Sequence, residues 1–307
     1  MERSIRNLFC RPGVGPVAGL CAAALIVVGA ALLVVAPSAA EASTQGQRVE
    51  FTVTANTDDD ISSRAREKVA ERVVEQIKQR LDAMELKHYQ VEPIGGSNVE
   101  VIVYGDHSPE VIKGGIVPQG ELQFRPVLVD SAPWLEVAPQ LPEGVEFYHE
   151  PGSMRPDSFF LFSTSPAVLR EAVELVPDGE GSIELFPHED GWRTLNLGEV
   201  VATEDDISSA QVQRNRAGAS FVNAELSADA VQRVRSKSSE YAASQLAVVL
   251  DGEVVAVMYF SEDSFGERLT VDPPGHLGSP DARAQWAMQV GGRMAASMPV
   301  QLGILEE

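Results

Sequence analysis

The pattern of apolar and polar positions predicts an amphipathic helix near the start of the chain. Between Ile61 and Glu85, apolar residues recur every three or four positions and form a single stripe, while charged residues occupy the opposite face. Short apolar runs of strand length surround this helix, at about 49–54, 89–92, 98–104 and 121–129, and a short helix is expected near 109–114. This order predicts an α+β fold with helices on one face of an antiparallel sheet, and we assign residues 44–130 to a ferredoxin-like base module.

The segment 131–192 differs from the preceding residues in its proline content and its lack of regular patterns. Prolines interrupt it repeatedly, and only 166–176 keeps a helical pattern, so we predict a Pro-rich irregular insertion. From 193 to 307 regular patterns return and predict a second α+β module. Its predicted elements are strands at 193–201, 220–226, 268–271 and 300–305, helices at 227–243 and 280–298, and a hairpin at Asp251-Gly252. Ser227 is predicted to be the N-cap of the first of these helices.

The strand after the Asp251-Gly252 turn carries the candidate binding residues. Strict alternation would place Val255, Val257 and Tyr259 on one face, and Val254, Ala256, Met258 and Phe260 on the other. Such a strand is typical of a core buried on both faces. The alternative is that one face lines an apolar groove for an extended polypeptide, because aromatic residues and methionine suit adaptable surfaces.

The N-terminal region reads as a targeting segment. Arg3, Arg6 and Arg11 precede an apolar run over 17–36 that is long enough to span a bilayer as a helix. A small-x-small site at Ala40-Glu41-Ala42 would suit signal cleavage. We therefore predict that 1–42 is a hydrophobic helix that acts as a signal peptide or a membrane anchor. Either alternative places the remainder on the periplasmic, extracytoplasmic side.

The composition argues against several kinds of partner, metal site and reaction. The net charge of −21 argues against a nucleic-acid partner or an anionic lipid surface for the body of the domain. Both cysteines, Cys10 and Cys21, lie in the targeting segment, so no thiol chemistry is available beyond it. His149-Glu150 and His188-Glu189-Asp190 lack metal-ligand spacing and are expected to be solvated loop residues. We expect no cofactor, no metal and no catalytic residue, and we predict that the protein is not an enzyme.

Several short motifs occur in a consistent order along more than 200 residues. They are Arg80-Leu81-Asp82-Ala83-Met84, Leu122-Gln123-Phe124-Arg125-Pro126-Val127, Glu204-Asp205-Asp206-Ile207, the hairpin Ala247-Val248-Val249-Leu250-Asp251-Gly252, and the ending Met298-Pro299 with Ile304-Leu305-Glu306-Glu307. They resemble R-V-D-A-L, L-E-F-R-x-V, D-D-I, A-I-V-L-D-G and L-P…I-V-E-E of the SecD/SecDF protein-export family. The resemblance concerns its first periplasmic domain, with head and base.

The resemblance also has departures. Glu85 and Tyr89 replace a glycine and a proline of the family, Met294 and Ala296 replace an arginine and a glycine, and the D-L-R-G-G segment is absent. The family's six downstream membrane helices, with their intramembrane aspartate, have no counterpart here. The resemblance therefore implies a domain that assists Sec-dependent protein export by contacting translocating preproteins or Sec translocon components, without its own proton-driven channel. The alternative is a repurposed envelope scaffold or binding protein that kept the fold alone.

Overall fold

The structure is a computed structural model, and it describes residues 47–57, 61–130, 132–151, 157–177, 181–240, 245–259 and 266–305. All of them belong to one unit, Gln45–Glu307. The predicted N-terminal hydrophobic helix and Phe260 lie outside the described residues. Within the described part of the chain, no helix is both long and apolar enough to cross a bilayer.

The described ranges contain both strands and helices. The strands are β1 (Arg48–Ala55), β2 (Tyr89–Gly95), β3 (Asn98–Tyr104), β4 (Leu122–Pro126), β5 (Glu146–Glu150), β6 (Ser158–Ser163), β7 (Ser182–His188), β8 (Gly191–Leu197), β9 (Ala202–Thr203), β10 (Ile207–Arg214), β11 (Ser220–Leu226), β12 (Gln245–Leu250), β13 (Glu253–Tyr259), β14 (Arg268–Val271) and β15 (Leu302–Leu305). The helices are α1 (Ser63–Ala83), α2 (Pro109–Ile116), α3 (Ala132–Val137), α4 (Pro166–Val173), α5 (Ala228–Glu240) and α6 (Pro280–Ala295).

The base sheet is antiparallel and has the strand order β15-β1-β3-β2. Helix α1 connects β1 to β2, and it begins at Ser62, whose hydroxyl accepts a hydrogen bond from the Ala65 amide. Val73, Ile77 and Leu81 of the predicted stripe are fully buried against the sheet. Together with α6, these strands give the β-α-β-β-α-β arrangement of a ferredoxin-like fold, which confirms the predicted α+β class.

The C-terminal elements α6 and β15 complete this base. Met288 and Met298 pack into the base core, whereas Ala287, Val290 and Met294 pack into the core of the neighbouring module. The base sheet therefore takes its fourth strand from the end of the chain, which the sequence analysis had assigned to the second module. The predicted boundaries at 130 and 192 stay predictions.

The second core lies among two further sheets. The central sheet has the order β13-β12-β4-β9, and a smaller sheet has the order β10-β11-β14. Helices α5 and α6 contribute to the core between them, and Ser227 caps α5 as predicted, accepting a hydrogen bond from the Ala230 amide at 3.2 Å. The strand β10 was not predicted, because its residues Ser208, Ser209 and Gln211 give it a polar sequence.

The segment predicted to be irregular contains regular structure instead. Its strands β5, β6 and β7 pair with β8 to form the outer sheet, β5-β6-β8-β7. Helices α3 and α4 cover one face of that sheet through a core around Trp134, Leu161 and Leu169. The prolines fit because they occupy tolerated positions: Pro166 starts α4 after its Ser165 cap, and Pro187 lies in the edge strand β7. Proline frequency alone therefore misled the prediction.

The outer and central sheets meet at a corner. The backbone beyond β4 continues along β8, where the Leu128 amide donates to the Asn196 carbonyl and the Gly198 amide donates to the Pro126 carbonyl, each at 2.8 Å. The inner faces of the two sheets then share a small core that contains Leu195, Leu197 and Val249. This packing brings β13 close to β7 and defines the position of the candidate site.

Candidate functional site

The turn that starts β13 has the geometry expected of an Asp-Gly hairpin. Asp251 and Gly252 both have positive φ, 51° and 83°, as a two-residue turn of the primed type requires. The pairing then shifts register, because Val249 lies opposite Val254 while Val248 lies opposite Ala256. Val255 is the extra residue of a β-bulge, and the bulge changes which side chains face each way.

The bulge separates the three residues that the sequence placed together. Val255 packs against the same core as Ala256 and Met258, whereas Val257 packs with Val254 against the outer sheet. The predicted strict alternation of faces is therefore wrong at Val254 and Val255, for the physical reason that one extra residue shifts the period. Val257 and Tyr259 do share a surface, and Tyr259 is 51% exposed. A polypeptide-binding role for any of the three stays a prediction.

Val257 and Tyr259 form one wall of a groove of about 530 Å³. The opposite wall is the end of the β7–β8 hairpin, and residues 272–276, which follow β14, form a third side. Apolar or aromatic side chains and polar side chains contribute equally to the described lining, which Gly275 completes. The apolar and aromatic lining residues are Phe186, Pro187, Val257, Tyr259, Pro273 and Pro274, and the polar ones are Glu150, His188, Glu189, Arg193, Asp272 and His276.

Arg193 lies in the floor of this groove between two aromatic rings. Its guanidinium carbon is 5.5 Å from the centre of the Phe160 ring and 5.6 Å from that of Phe186. Only 6% of the residue is exposed. Such cation–π contacts attract the guanidinium to both rings.

Two histidines contact the same aromatic floor. The ring of His188 meets Phe160 edge to face with centroids 5.7 Å apart, and the ring of His276 meets Phe186 in the same manner at 6.4 Å. His188 was expected to be a solvated loop residue, but it ends β7 and is partly buried. The hairpin turn explains the difference, because it folds this residue back over the sheet.

The environment lowers the pKa of both histidines. Burial lowers the pKa of His188, and the positive charge of Arg193 lowers it further, against the opposing effects of Glu189 and Glu150. Partial burial also lowers the pKa of His276, and His188 adds to that shift. The lining therefore carries three carboxylates against one guanidinium at neutral pH, which makes the groove apolar with an acidic rim.

Two residues from the family-like motifs meet elsewhere, at the junction of the base and the central sheet. Arg80 is fully buried, and its guanidinium donates hydrogen bonds to the carbonyls of Ile116, Pro118, Gln119 and Ala296. Burial lowers its pKa to about 9, an effect that the charge of Asp251 opposes, so the group is a cation at neutral pH.

Asp251 of the hairpin completes this junction. Its carboxylate accepts hydrogen bonds from the amides of Gly120 and Glu121 at 2.8 and 2.9 Å, and from Arg293 of α6 at 2.7 Å. Sequence reasoning read this aspartate only as a turn residue and missed the role of Arg80. The available signal was a charged residue at position 80, three residues after Ile77 on the apolar stripe of α1.

The described residues offer no metal site. No group of three histidine, cysteine or acidic side chains in those ranges is arranged to hold an ion. His149 instead pairs with Asp157 at 2.7 Å, and both side chains are largely exposed. The absence of metals and of catalytic residues stays a prediction.

Comparison with known proteins gives structural likeness alone. No family model matches the chain. No curated protein matches it either. A SecDF structure in a super-membrane-facing form is similar with 16% identity and a TM-score of 0.45, over 84% of this chain and 29% of the other. A structure described as SecDF, a membrane component that enhances protein export, has 15% identity and a TM-score of 0.42, over 84% of this chain and 99% of the other.

A third similar structure is SecDF, a translocon-associated membrane protein, from Thermus thermophilus. It has 14% identity and a TM-score of 0.31, over 85% of this chain and 30% of the other. This chain thus spans less than a third of the first and third structures. All three belong to the family that the sequence motifs resemble, but at these values the similarity concerns the general fold and extends no further.

Proposed function

We propose that this protein is an extracytoplasmic polypeptide-binding domain that assists Sec-dependent protein export, and that the groove beside β13 is where it contacts an extended chain. The groove is the observation that carries the proposal. It combines aromatic and proline side chains, which bind apolar side chains and extended backbones, with an acidic rim. The ordered motifs that resemble the SecD first periplasmic domain supply the connection to export.

The chemistry of the lining defines the segment it would hold. Tyr259, Val257 and Phe186 offer an apolar surface, so an apolar side chain is the expected anchor. Glu150, Glu189 and Asp272 favour a lysine or arginine beside that anchor, because opposite charges attract across a partly desolvated rim. The occupant is therefore a segment of unfolded polypeptide that carries both apolar and basic residues, and binding without catalysis is the proposed activity.

A matched pair of tyrosines allows a direct test. Tyr259 is 51% exposed in the groove, and Tyr104 is 40% exposed on the base sheet. A photo-crosslinking amino acid placed at position 259 should capture secreted polypeptides or Sec components in cells. The same amino acid at position 104 should not. Equal capture from both positions, or none from 259, would leave the envelope scaffold reading as the better account.

Binding in vitro gives a second measure of the same site. We expect Tyr259→Ala to weaken binding of a labelled peptide with apolar and lysine residues by about fivefold to tenfold, which is roughly 1 kcal/mol. Tyr104→Ala should leave the affinity unchanged. Fluorescence anisotropy measures the affinity, and circular dichroism verifies that both variants are folded. An unchanged affinity in Tyr259→Ala would remove the groove from the proposal.

A further inference from the structure

Two histidines on different walls of the groove are the only imidazoles in its lining. His188 ends β7 of the outer sheet, and His276 lies in the segment after β14 of the smaller sheet, so only tertiary packing brings them to one surface. Both rings contact aromatic side chains edge to face. A charged His188 would place a second positive charge beside Arg193, which opposes its protonation.

The charges around the two rings come from every side of the groove. The titratable and charged residues of the lining are Glu150, His188, Glu189, Arg193, Tyr259, Asp272 and His276. Among the lining residues that the structure describes, with neutral histidines, three carboxylates outnumber one guanidinium by two charges. Protonation of both histidines would cancel that excess. The net negative charge of the described lining therefore depends on these two rings.

We propose that His188 and His276 make the groove a proton-sensitive binding site, which holds basic polypeptide segments when both rings are neutral and releases them when both are charged. This inference rests on the proposed function, because it concerns the regulation of the same groove. Its ligand is a segment with an apolar anchor flanked by lysine or arginine. An extracytoplasmic domain is exposed to external pH, so the device would respond to acidification outside the cell.

The electrostatic environment supports this reading. Burial and the Arg193 charge lower the pKa of His188, and burial together with His188 lowers the pKa of His276. Each ring therefore resists protonation, and protonation of one makes that of the other harder. Charging should be confined to mildly acidic conditions, below the ordinary histidine range of about 6.5.

The test compares two peptides at two pH values. One peptide carries lysines beside an apolar anchor, and the other carries glutamates at the same positions. For the wild-type protein we expect the affinity for the lysine peptide to fall about tenfold between pH 7.5 and pH 5.0, since two added charges oppose it at short range. The glutamate peptide should gain affinity over the same interval. High salt should reduce both changes.

Variants assign the effect to the two rings. In the double variant His188→Gln/His276→Gln, the affinity for the lysine peptide should change by less than about twofold over the same pH interval, because neither glutamine titrates. His88→Gln, at an exposed position on the base, is the matched control and should retain the full wild-type response. A double variant that still loses tenfold would overturn the proposal.

A second readout separates this inference from the proposed function. Imidazole NMR signals report the titration of each ring, and His188→Gln should raise the pKa of His276 by removing a neighbouring positive charge. Rings that titrate independently in the ordinary range, or affinities that are equal at pH 5.0 and 7.5, would overturn proton sensitivity alone. An absence of peptide binding at pH 7.5 would overturn the proposed function. It would also overturn the assignment of a basic segment with an apolar anchor as the ligand.

Discussion

Substitution of Arg80 by methionine should strongly destabilise the fold. The guanidinium of this fully buried residue makes hydrogen bonds to four backbone carbonyls, from the segment 116–119 and from Ala296. Hydrogen bonds to a charged group contribute roughly 1.5–3 kcal/mol each, and burial of the ion costs several kcal/mol in return. Methionine fills a similar volume but leaves the four carbonyls without this donor. We expect a net loss of about 3–5 kcal/mol.

Urea unfolding of residues 45–307 measures this loss. Circular dichroism and tryptophan fluorescence should be followed together, because coincident transitions support a two-state reading. Arg80→Lys is the matched control, since it keeps the charge but offers its donors from a single point instead of a planar fork. Its loss should lie between those of the wild type and Arg80→Met, at roughly half the value of the methionine variant.

The size of the effect decides whether the reasoning holds. If Arg80→Met costs less than about 1 kcal/mol, the desolvation cost cancels the four hydrogen bonds and the junction is not a source of stability. If Arg80→Lys is as stable as the wild type, the charge alone matters and the planar geometry does not. Either result would refute the argument from the four carbonyls.

Three further predictions test other parts of the structure. Gly292→Ala should lower stability by about 1–3 kcal/mol in thermal unfolding, because the added Cβ would lie 2.9 Å from the Gly115 carbonyl oxygen of α2. The control Gly278→Ala has open space around its Cβ and should stay within about 0.5 kcal/mol of the wild type. Asp206→Ala should lower the free energy of unfolding in urea by about 1–2 kcal/mol. The Asp206 carboxylate caps the 3₁₀ turn Glu204–Asp206 and accepts a hydrogen bond from the Arg233 guanidinium at 2.6 Å. Folding lowers the pKa values of His188 and His276, so the stability that comes from their neutral rings is complete above pH about 6.5. This contribution should be lost as the pH falls through the two lowered pKa values. His188→Gln/His276→Gln should unfold with a shallower pH dependence than the wild type between pH 7.5 and 5, and identical curves would contradict this.

Local patterns predicted the elements that depend on nearby residues. The stripe on α1, the Ser227 cap and the Asp251-Gly252 turn appear where the sequence placed them, because period and capping act over a few residues. The outer sheet was not predicted for the complementary reason. Its prolines look like interruptions in sequence, but their cost depends on whether a strand is central or at an edge, and that is a tertiary property.

Single residues of the candidate site show the same difference between what local sequence predicts and what tertiary packing decides. The sequence identified the strand after the hairpin and its apolar character, but the β-bulge turned Val255 away from Val257 and Tyr259. His188 and His276 are 88 positions apart, and no pattern in the sequence relates them. Only tertiary packing brings the end of β7 and the segment after β14 into one groove. Periodicity fixes which side chains face a core, because it is local, whereas a binding surface assembled from distant segments depends on how the sheets pack.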